Sequence, residues 1–266
     1  MDLLGGLIQI PGVQKLWRRV PVGNVENKVR LGIFRYPHYA WAIFSAARQA
    51  KNLGLEAISV IEFGVAGGRG LVALEHAARE ISAHLGVRVE VWGFDAEKGL
   101  PKPIDFRDLP HVWEQGDYQM DVAKLKAKLS TAKLVLGDVS QTVVPFLESG
   151  GFPPIGFVSF DLDYYSSTVA ALKIFEGAHA TRLPRVCCYF DDMIWPEDAC
   201  HNEFAGEFLA IREFNEQHNG KKLCKLNNLR WMMPYADAWQ EEIYYLHDFS
   251  HPLYTKKLTP PEQLPL

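Results

Sequence analysis

Between Tyr39 and Leu53 apolar residues recur at helical spacing through Ala42, Ile43, Ala46, Ala47 and Ala50, and Gly54 stands where a C-terminal cap belongs, so a helix is predicted ahead of the first strand. Ala57 to Phe63 is a short run rich in Ile that ends in a glycine turn. Leu71 to Leu85 returns to the helical period, with Leu71, Leu74, Ala78 and Ile81 on one side. The strand, turn and helix then repeat. Strands are expected at Arg88–Phe94, Lys133–Leu136, Gly156–Leu162 and Arg185–Phe190, and helices at Val122–Leu129, Val143–Leu147, Thr168–Ala178 and Phe204–Gln217. Two late segments, Leu223–Met232 and Glu241–Leu246, read as strands joined without a helix, which makes a terminal antiparallel pair.

Strands alternating with helices require parallel crossovers, so the pattern predicts an α/β fold: a mostly parallel sheet with helices on both faces, closed by the antiparallel pair. At 266 residues and 48% hydrophobic, the chain can form one globular domain. We divide it into an N-terminal helical extension and lid over 1–55, the α/β domain over 56–250 and a tail over 251–266, where Pro260, Pro261 and Pro265 suggest an irregular strap.

Composition excludes several functions. A net charge of -4, with Lys and Arg scattered, offers no footprint for nucleic acid. No apolar run reaches the roughly 20 residues of a membrane span. Met1–Ile10 lacks the basic leader of a signal peptide. Cys187, Cys188, Cys200 and Cys224 form no Cys-x-x-Cys pair, so a reducing cytoplasm is expected; a homo-oligomer is left open.

The candidate chemistry sits where strands end. Gly64, Gly67 and Gly68 follow the first strand, in the place where open α/β sheets let backbone approach a ligand. A pyrophosphate favours an acid-free loop, whereas Glu62 stands near this strand's end and suits the cationic end of S-adenosylmethionine. Asp95 ends the second strand, where a carboxylate holds a ribose diol; a dinucleotide-binding sheet shares that feature, and a plain helix cap is the structural alternative. Asp138 ends the third strand, on the adenine side or as the N-cap of the next helix.

The next two strands carry acids. Alternation along Ile155–Asp163 would put Asp161 and Asp163 on one face, and Asp191-Asp192 follows the fifth strand. Four carboxylates on one rim repel unless a cation, protons or hydrogen bonds compensate, although each Asp singly could cap a helix. With no Cys or His at ligand spacing nearby, an all-oxygen site suits Mg²⁺ or Mn²⁺.

This ordered set resembles the metal-dependent sugar O-methyltransferases typified by the macrocin, mycinamicin and novobiocin enzymes. The matching residues are Glu62-Phe63-Gly64-Val65 with Gly67-Gly68, Phe94-Asp95 followed by Gly99-Leu100-Pro101, Asp161-Leu162-Asp163-Tyr164-Tyr165-Ser166-Ser167-Thr168, and Asp191-Asp192. The resemblance implies a class I, Rossmann-like methyltransferase with a seven-stranded sheet. It further implies Mg²⁺ on Asp163, Asp191 and Asp192, Asp163 as general base, Glu62 and Gly64 along the donor's methionine and ribose, and Asp95 on the ribose hydroxyls. Asp161 is then secondary, and the acceptor is a hydroxyl of a small molecule. Ser166 stands where that family usually has Glu, and Ala96-Glu97-Lys98 replaces its usual residues after the second strand, which leaves sugar specificity open. Three alternatives remain: a catechol-type methyltransferase, a methyltransferase-like nucleoside-binding protein or hydroxylase, and an NAD-linked oxidoreductase. Phe34–Tyr39 or the Pro-rich stretch 102–120, with His111, Trp113 and Tyr118, could form a lid. Trp195 and His201 could line an acceptor pocket, with packing the commoner role for such residues.

Overall fold

The computed structural model of the chain describes residues 12–19 and 22–259. The readings of Met1–Ile10 and of the prolines at 260, 261 and 265 lie outside the described residues. Strands β1 (Ala57–Phe63), β2 (Arg88–Asp95), β3 (Lys133–Leu136), β4 (Ile155–Phe160), β5 (Arg182–Phe190), β6 (Lys221–Lys225) and β7 (Ile243–Asp248) form one sheet. Its order is β3-β2-β1-β4-β5-β7-β6. The first five are parallel, while β7 runs antiparallel to both β5 and β6. The terminal antiparallel pair is present, and its second member is inserted between β5 and β6.

Both faces of the sheet are covered. Helices α1 (Val13–Arg19), α2 (Val25–Arg30), α3 (Pro37–Leu53) and α4 (Arg69–Leu85) come early in the chain. The crossovers continue with α5 (Val122–Lys126), α6 (Val139–Ser149), α7 (Tyr165–Leu172) and α8 (Gly206–Gln217). One core places α3 and α4, through Ile43, Ala47, Leu71 and Leu74, on Ile58 and Val60 of β1 and Phe157 of β4. The other packs α6, α7 and α8, through Phe146, Leu172 and Phe214, on Ile61 and Phe63 of β1 and Phe160 of β4. Alternate residues of β1 thus feed opposite cores, which is why every position from Ile58 to Phe63 is buried and the strand reads as a nearly unbroken apolar run.

One predicted strand is overturned in part. Leu223–Met232 is not continuous: β6 stops at Lys225, Asn228 takes a left-handed φ of 69° and begins a short helix, α9 (Leu229–Met232). Asn tolerates that conformation better than most residues, so its side chain permits the break. Among the described residues no helix is long and apolar enough to cross a membrane.

Candidate active site

The strand order reverses between β1 and β4, so the crossovers leave these neighbours in opposite directions and open a crevice beyond their carboxyl ends. A cavity of about 640 Å³ lies there. Its lining follows the sheet order, from Asp138 after β3, Asp95 at the end of β2 and Gly64 after β1 to Asp161 and Asp163 after β4 and Asp191 and Asp192 after β5. Glu62, Gly67 and Gly68 are not among the lining residues.

The glycine turn is set by close approach. Gly64 has φ 85°, and a Cβ there would sit 1.6 Å from the Asp161 carbonyl oxygen, so any side chain would push β1 and β4 apart. Asp95 builds the same turn from the other side. Its Oδ2 accepts the main-chain N–H groups of Val65 at 3.0 Å and Ala66 at 2.8 Å, and its Oδ1 accepts that of Glu97 at 2.6 Å. Half-buried, with Oδ1 holding a single donor, it can both organise the loop and meet a ligand diol. Asp138 is the N-cap of α6, accepting from the Ser140 amide at 2.8 Å, and lines the cavity as well. Its two readings are compatible.

Glu62 is buried behind this surface. Its Oε1 accepts the Tyr39 hydroxyl at 2.8 Å, and Ser159 Oγ donates in turn to Tyr39 at 3.3 Å. Oε2 has no partner. Burial pushes the carboxyl up to about 8, because the charged form has lost its water. An orphaned oxygen of this kind fits a ligand's cationic group. Tyr39 was legible only as one more apolar position of a helix.

Asp161, Asp191 and Asp192 come together, with carboxylate oxygens that all lie within 4.8 Å of one another. The alternation expected to pair Asp161 with Asp163 does not reach that far, because β4 ends at Phe160. Asp161 still donates its N–H to the Phe63 carbonyl at 3.0 Å, whereas Asp163 sits in a left-handed turn with φ 60° and donates its own N–H to Asp192 Oδ2 at 2.8 Å. The three-carboxylate set therefore contains Asp161 where the sequence reading had Asp163. Burial and the Asp191 charge push Asp163 up to about 7.

Further groups, which motif reading missed, hold these acids. The Tyr189 hydroxyl lies 2.5 Å from Asp191 Oδ1 and 2.9 Å from Glu242 Oε2. A phenol has one proton to give, so one carboxyl must bring its own. Glu242 is the suited one, since burial pushes it up to about 8. Glu207, fully buried in the first turn of α8, accepts the Asp192 amide at 3.1 Å through Oε2 and leaves Oε1 unpartnered. An acid in a first turn resembles an ordinary dipole-complementing residue, so nothing in the sequence marked it. Oxygen-only donors and uncompensated negative charge fit a hard divalent cation.

The stretch after β2 covers the cavity and contributes Lys102, Ile104, Trp113 and Tyr118 to its lining; Trp195 joins from the loop after β5. Asp108, 1% exposed, fastens this stretch by accepting from the Ile104 amide, the Ser166 amide and the Ser166 hydroxyl at 2.8 to 3.0 Å. His111 is exposed, and His201 contacts the Trp195 carbonyl at 3.1 Å; neither lines the cavity. Phe34–Tyr39 lines none of it, with the His38 ring stacked 4.3 Å from that of Tyr189.

No protein-family profile matches the chain, and no curated protein does. Among solved structures it is similar to the calicheamicin methyltransferase CalS11, at 22% identity over 92% of this chain and 89% of that one, with a TM-score of 0.52. An apo structure of CalS11, named as a TDP-rhamnose 3'-O-methyltransferase of calicheamicin biosynthesis, gives 20% identity, coverage of 92% and 90%, and a TM-score of 0.44. An O-methyltransferase from Bacillus cereus in complex with SAH gives 13%, coverage of 88% and 96%, and 0.40. The first of these, together with the strand order and the antiparallel ending, gives the chain the Rossmann-like class I methyltransferase fold.

Proposed function

We propose that this chain is an S-adenosylmethionine-dependent O-methyltransferase that uses Mg²⁺ or Mn²⁺ and methylates a hydroxyl of a small molecule, a sugar moiety or another natural product. The observation that carries this reading is that one cavity is bordered both by Gly64, Asp95 and Asp138 and by Asp161, Asp191 and Asp192. Gly64, Asp95 and Asp138 would hold the donor, whose sulfonium supplies the methyl group. The unpartnered oxygen of Glu62, buried behind the turn, leaves a polar group there that a bound donor would satisfy.

Asp161, Asp191 and Asp192 would hold the cation, which supplies positive charge that lowers an acceptor hydroxyl's pKa. Asp163, tied to Asp192 through its amide, takes the hydroxyl proton on its carboxylate; its upward shift to about 7 suits a general base near neutrality. Tyr189 and Glu207 keep Asp191 and Asp192 in place, and the stretch fastened by Asp108 excludes water. Alignment of donor and acceptor supplies much of the acceleration, so no covalent enzyme intermediate is needed.

The test combines labelled S-adenosylmethionine, a panel of glycosides and phenols, and Mg²⁺ or excess chelator, with S-adenosylhomocysteine binding followed by calorimetry. We expect Mg²⁺-dependent transfer that Asp191→Ala abolishes while donor binding survives. Full activity in chelator or in that variant would remove the metal role. Preference for NAD over S-adenosylhomocysteine would overturn the donor assignment.

A further inference from the structure

Three large hydrophobic residues stand open to water around this one cavity: Ile104 at 72%, Trp195 at 63% and Tyr118 at 54% exposure. Scattered singly, such residues are ordinary; gathered at a concave mouth they mark a binding surface.

Tyr118 is also held there under strain. Its φ is 62°, a conformation that bulky residues rarely adopt, and the backbone around it leaves no room to relax. Leu100 donates to the Asp117 carbonyl at 2.8 Å, Gly116 to the Leu100 carbonyl at 2.9 Å, and Met120 to the Glu97 carbonyl at 3.0 Å. Gly99 permits this narrow crossing, since a Cβ there would lie 2.2 Å from the Asp117 oxygen. Leu109 and Trp113 from the same stretch plug into a small core with Tyr164, Ala199 and Ala205. Burial, and then the charge of Asp163, push the Tyr118 hydroxyl above the usual phenol range, against a hydrogen bond with the Trp113 side chain.

Six aspartates line the cavity (95, 138, 161, 163, 191 and 192) against one lysine, Lys102, and a divalent cation would offset only two of their charges, so the lining favours a neutral acceptor over an anionic one. We propose that Tyr118 and Trp195 are the acceptor-binding residues, and that they receive a neutral, ring-bearing alcohol or phenol, with its apolar ring face on the aromatic side chains and its hydroxyl toward Asp163. This deepens the methyl-transfer reading above and rests on it for the chemistry, while the binding claim can be tested alone.

The experiment uses the full chain with S-adenosylhomocysteine and Mg²⁺, titrated with 4-nitrophenyl glucoside and its anionic counterpart 4-nitrophenyl glucuronide, with quenching of tryptophan fluorescence as the readout. Tyr118→Gly is the informative variant because glycine accepts the left-handed φ and relieves strain. We expect saturable glucoside binding, weaker by about tenfold in Tyr118→Gly and in Trp195→Ala, within about threefold of wild type in Tyr118→Phe, and several-fold stronger than glucuronide binding. S-adenosylhomocysteine affinity should hold in all three variants. Equal glucoside affinity in wild type and Tyr118→Gly, equal binding of the two glycosides, or no saturable binding to wild type overturns the proposal. If wild type binds the glucoside as expected but transfers methyl to no alcohol, the methyl-transfer reading fails and the binding site stands. Methyl transfer with an unchanged KM in Tyr118→Gly overturns the proposal likewise.

Discussion

The main-chain N–H of Asp163 donates to Asp192 Oδ2 at 2.8 Å, which ties the left-handed turn after β4 to the carboxylate pair after β5. A residue from one crossover is thereby fixed by an acid from the next. Asp192 is itself fixed from the other side, its own amide donating to the Glu207 carboxyl at 3.1 Å.

Neutralising one acid of the trio should separate stability from cation binding. Asp161 is held well above the usual carboxylate range by burial and then by the charges of Asp191 and Asp192, so its ionised form is costly in the cation-free protein. Asp161→Asn should stabilise that form by about 1–2 kcal/mol near pH 8. It should also lose the rise in melting temperature that Mg²⁺ gives the wild type. A variant less stable than wild type without Mg²⁺, or one that Mg²⁺ stabilises equally, contradicts the trio.

The buried glutamates predict a pH dependence of definite sign. Glu62 and Glu242 ordinarily titrate near 4.5 and are each pushed up to about 8 in the fold by burial. Folding then binds protons in this window, so their contribution is fully present below about pH 4.5 and is lost as pH rises through about 8. Each group adds a slope of up to about 1.4 kcal/mol per pH unit. Urea midpoints of the ligand-free protein between these limits should fall with pH, and Glu62→Gln, which can still accept from Tyr39, should flatten the fall. An unchanged slope in that variant would show that Glu62 is ionised in the fold.

The parallel strands were legible because burial on both faces leaves little but apolar residues between turn signals; β1 and β3 run over the residues that pattern predicted. What failed did so for local reasons. Asn228 breaks the expected Leu223–Met232 strand by backbone conformation, which hydrophobicity does not record, and β4 stops at Phe160 although the acids beyond it continue its alternation. The acids at strand ends were visible as chemistry. Their supports, Tyr39, Tyr189, Glu207 and Glu242, were not, because burial of a polar residue is a property of the assembled sheet. Asp108 lay in a Pro-rich stretch with no period from which its partner Ser166 could be inferred.

That latch leads to a third prediction. Asp108→Ala leaves the Ile104 and Ser166 amides and the Ser166 hydroxyl without their acceptor, which should cost about 2–3 kcal/mol and release the stretch after β2. Limited chymotrypsin digestion should then cut sooner after Phe106, whose following residue is unchanged in the variant, while the sheet stays resistant. Cleavage at wild-type rates would mean that Leu109 and Trp113 hold the stretch unaided.

The remaining prediction concerns Asp95, whose usual conservative replacement should fail. Three main-chain N–H groups point at its carboxylate, two at Oδ2 and one at Oδ1, so both oxygens must accept. Asparagine offers one accepting oxygen, and its amide nitrogen would face an N–H group whichever way it turned. Asp95→Asn should therefore lose about 1–3 kcal/mol of stability, much as Asp95→Ala does. Because those bonds shape the turn that carries Gly64, affinity for S-adenosylhomocysteine should fall together with stability in both variants. Denaturant midpoints and calorimetry on the same samples decide the matter. If Asp95→Asn weakens ligand binding while its midpoint stays at the wild-type value, Asp95 serves the ligand alone and the turn is held by the close approach of Gly64 to Asp161.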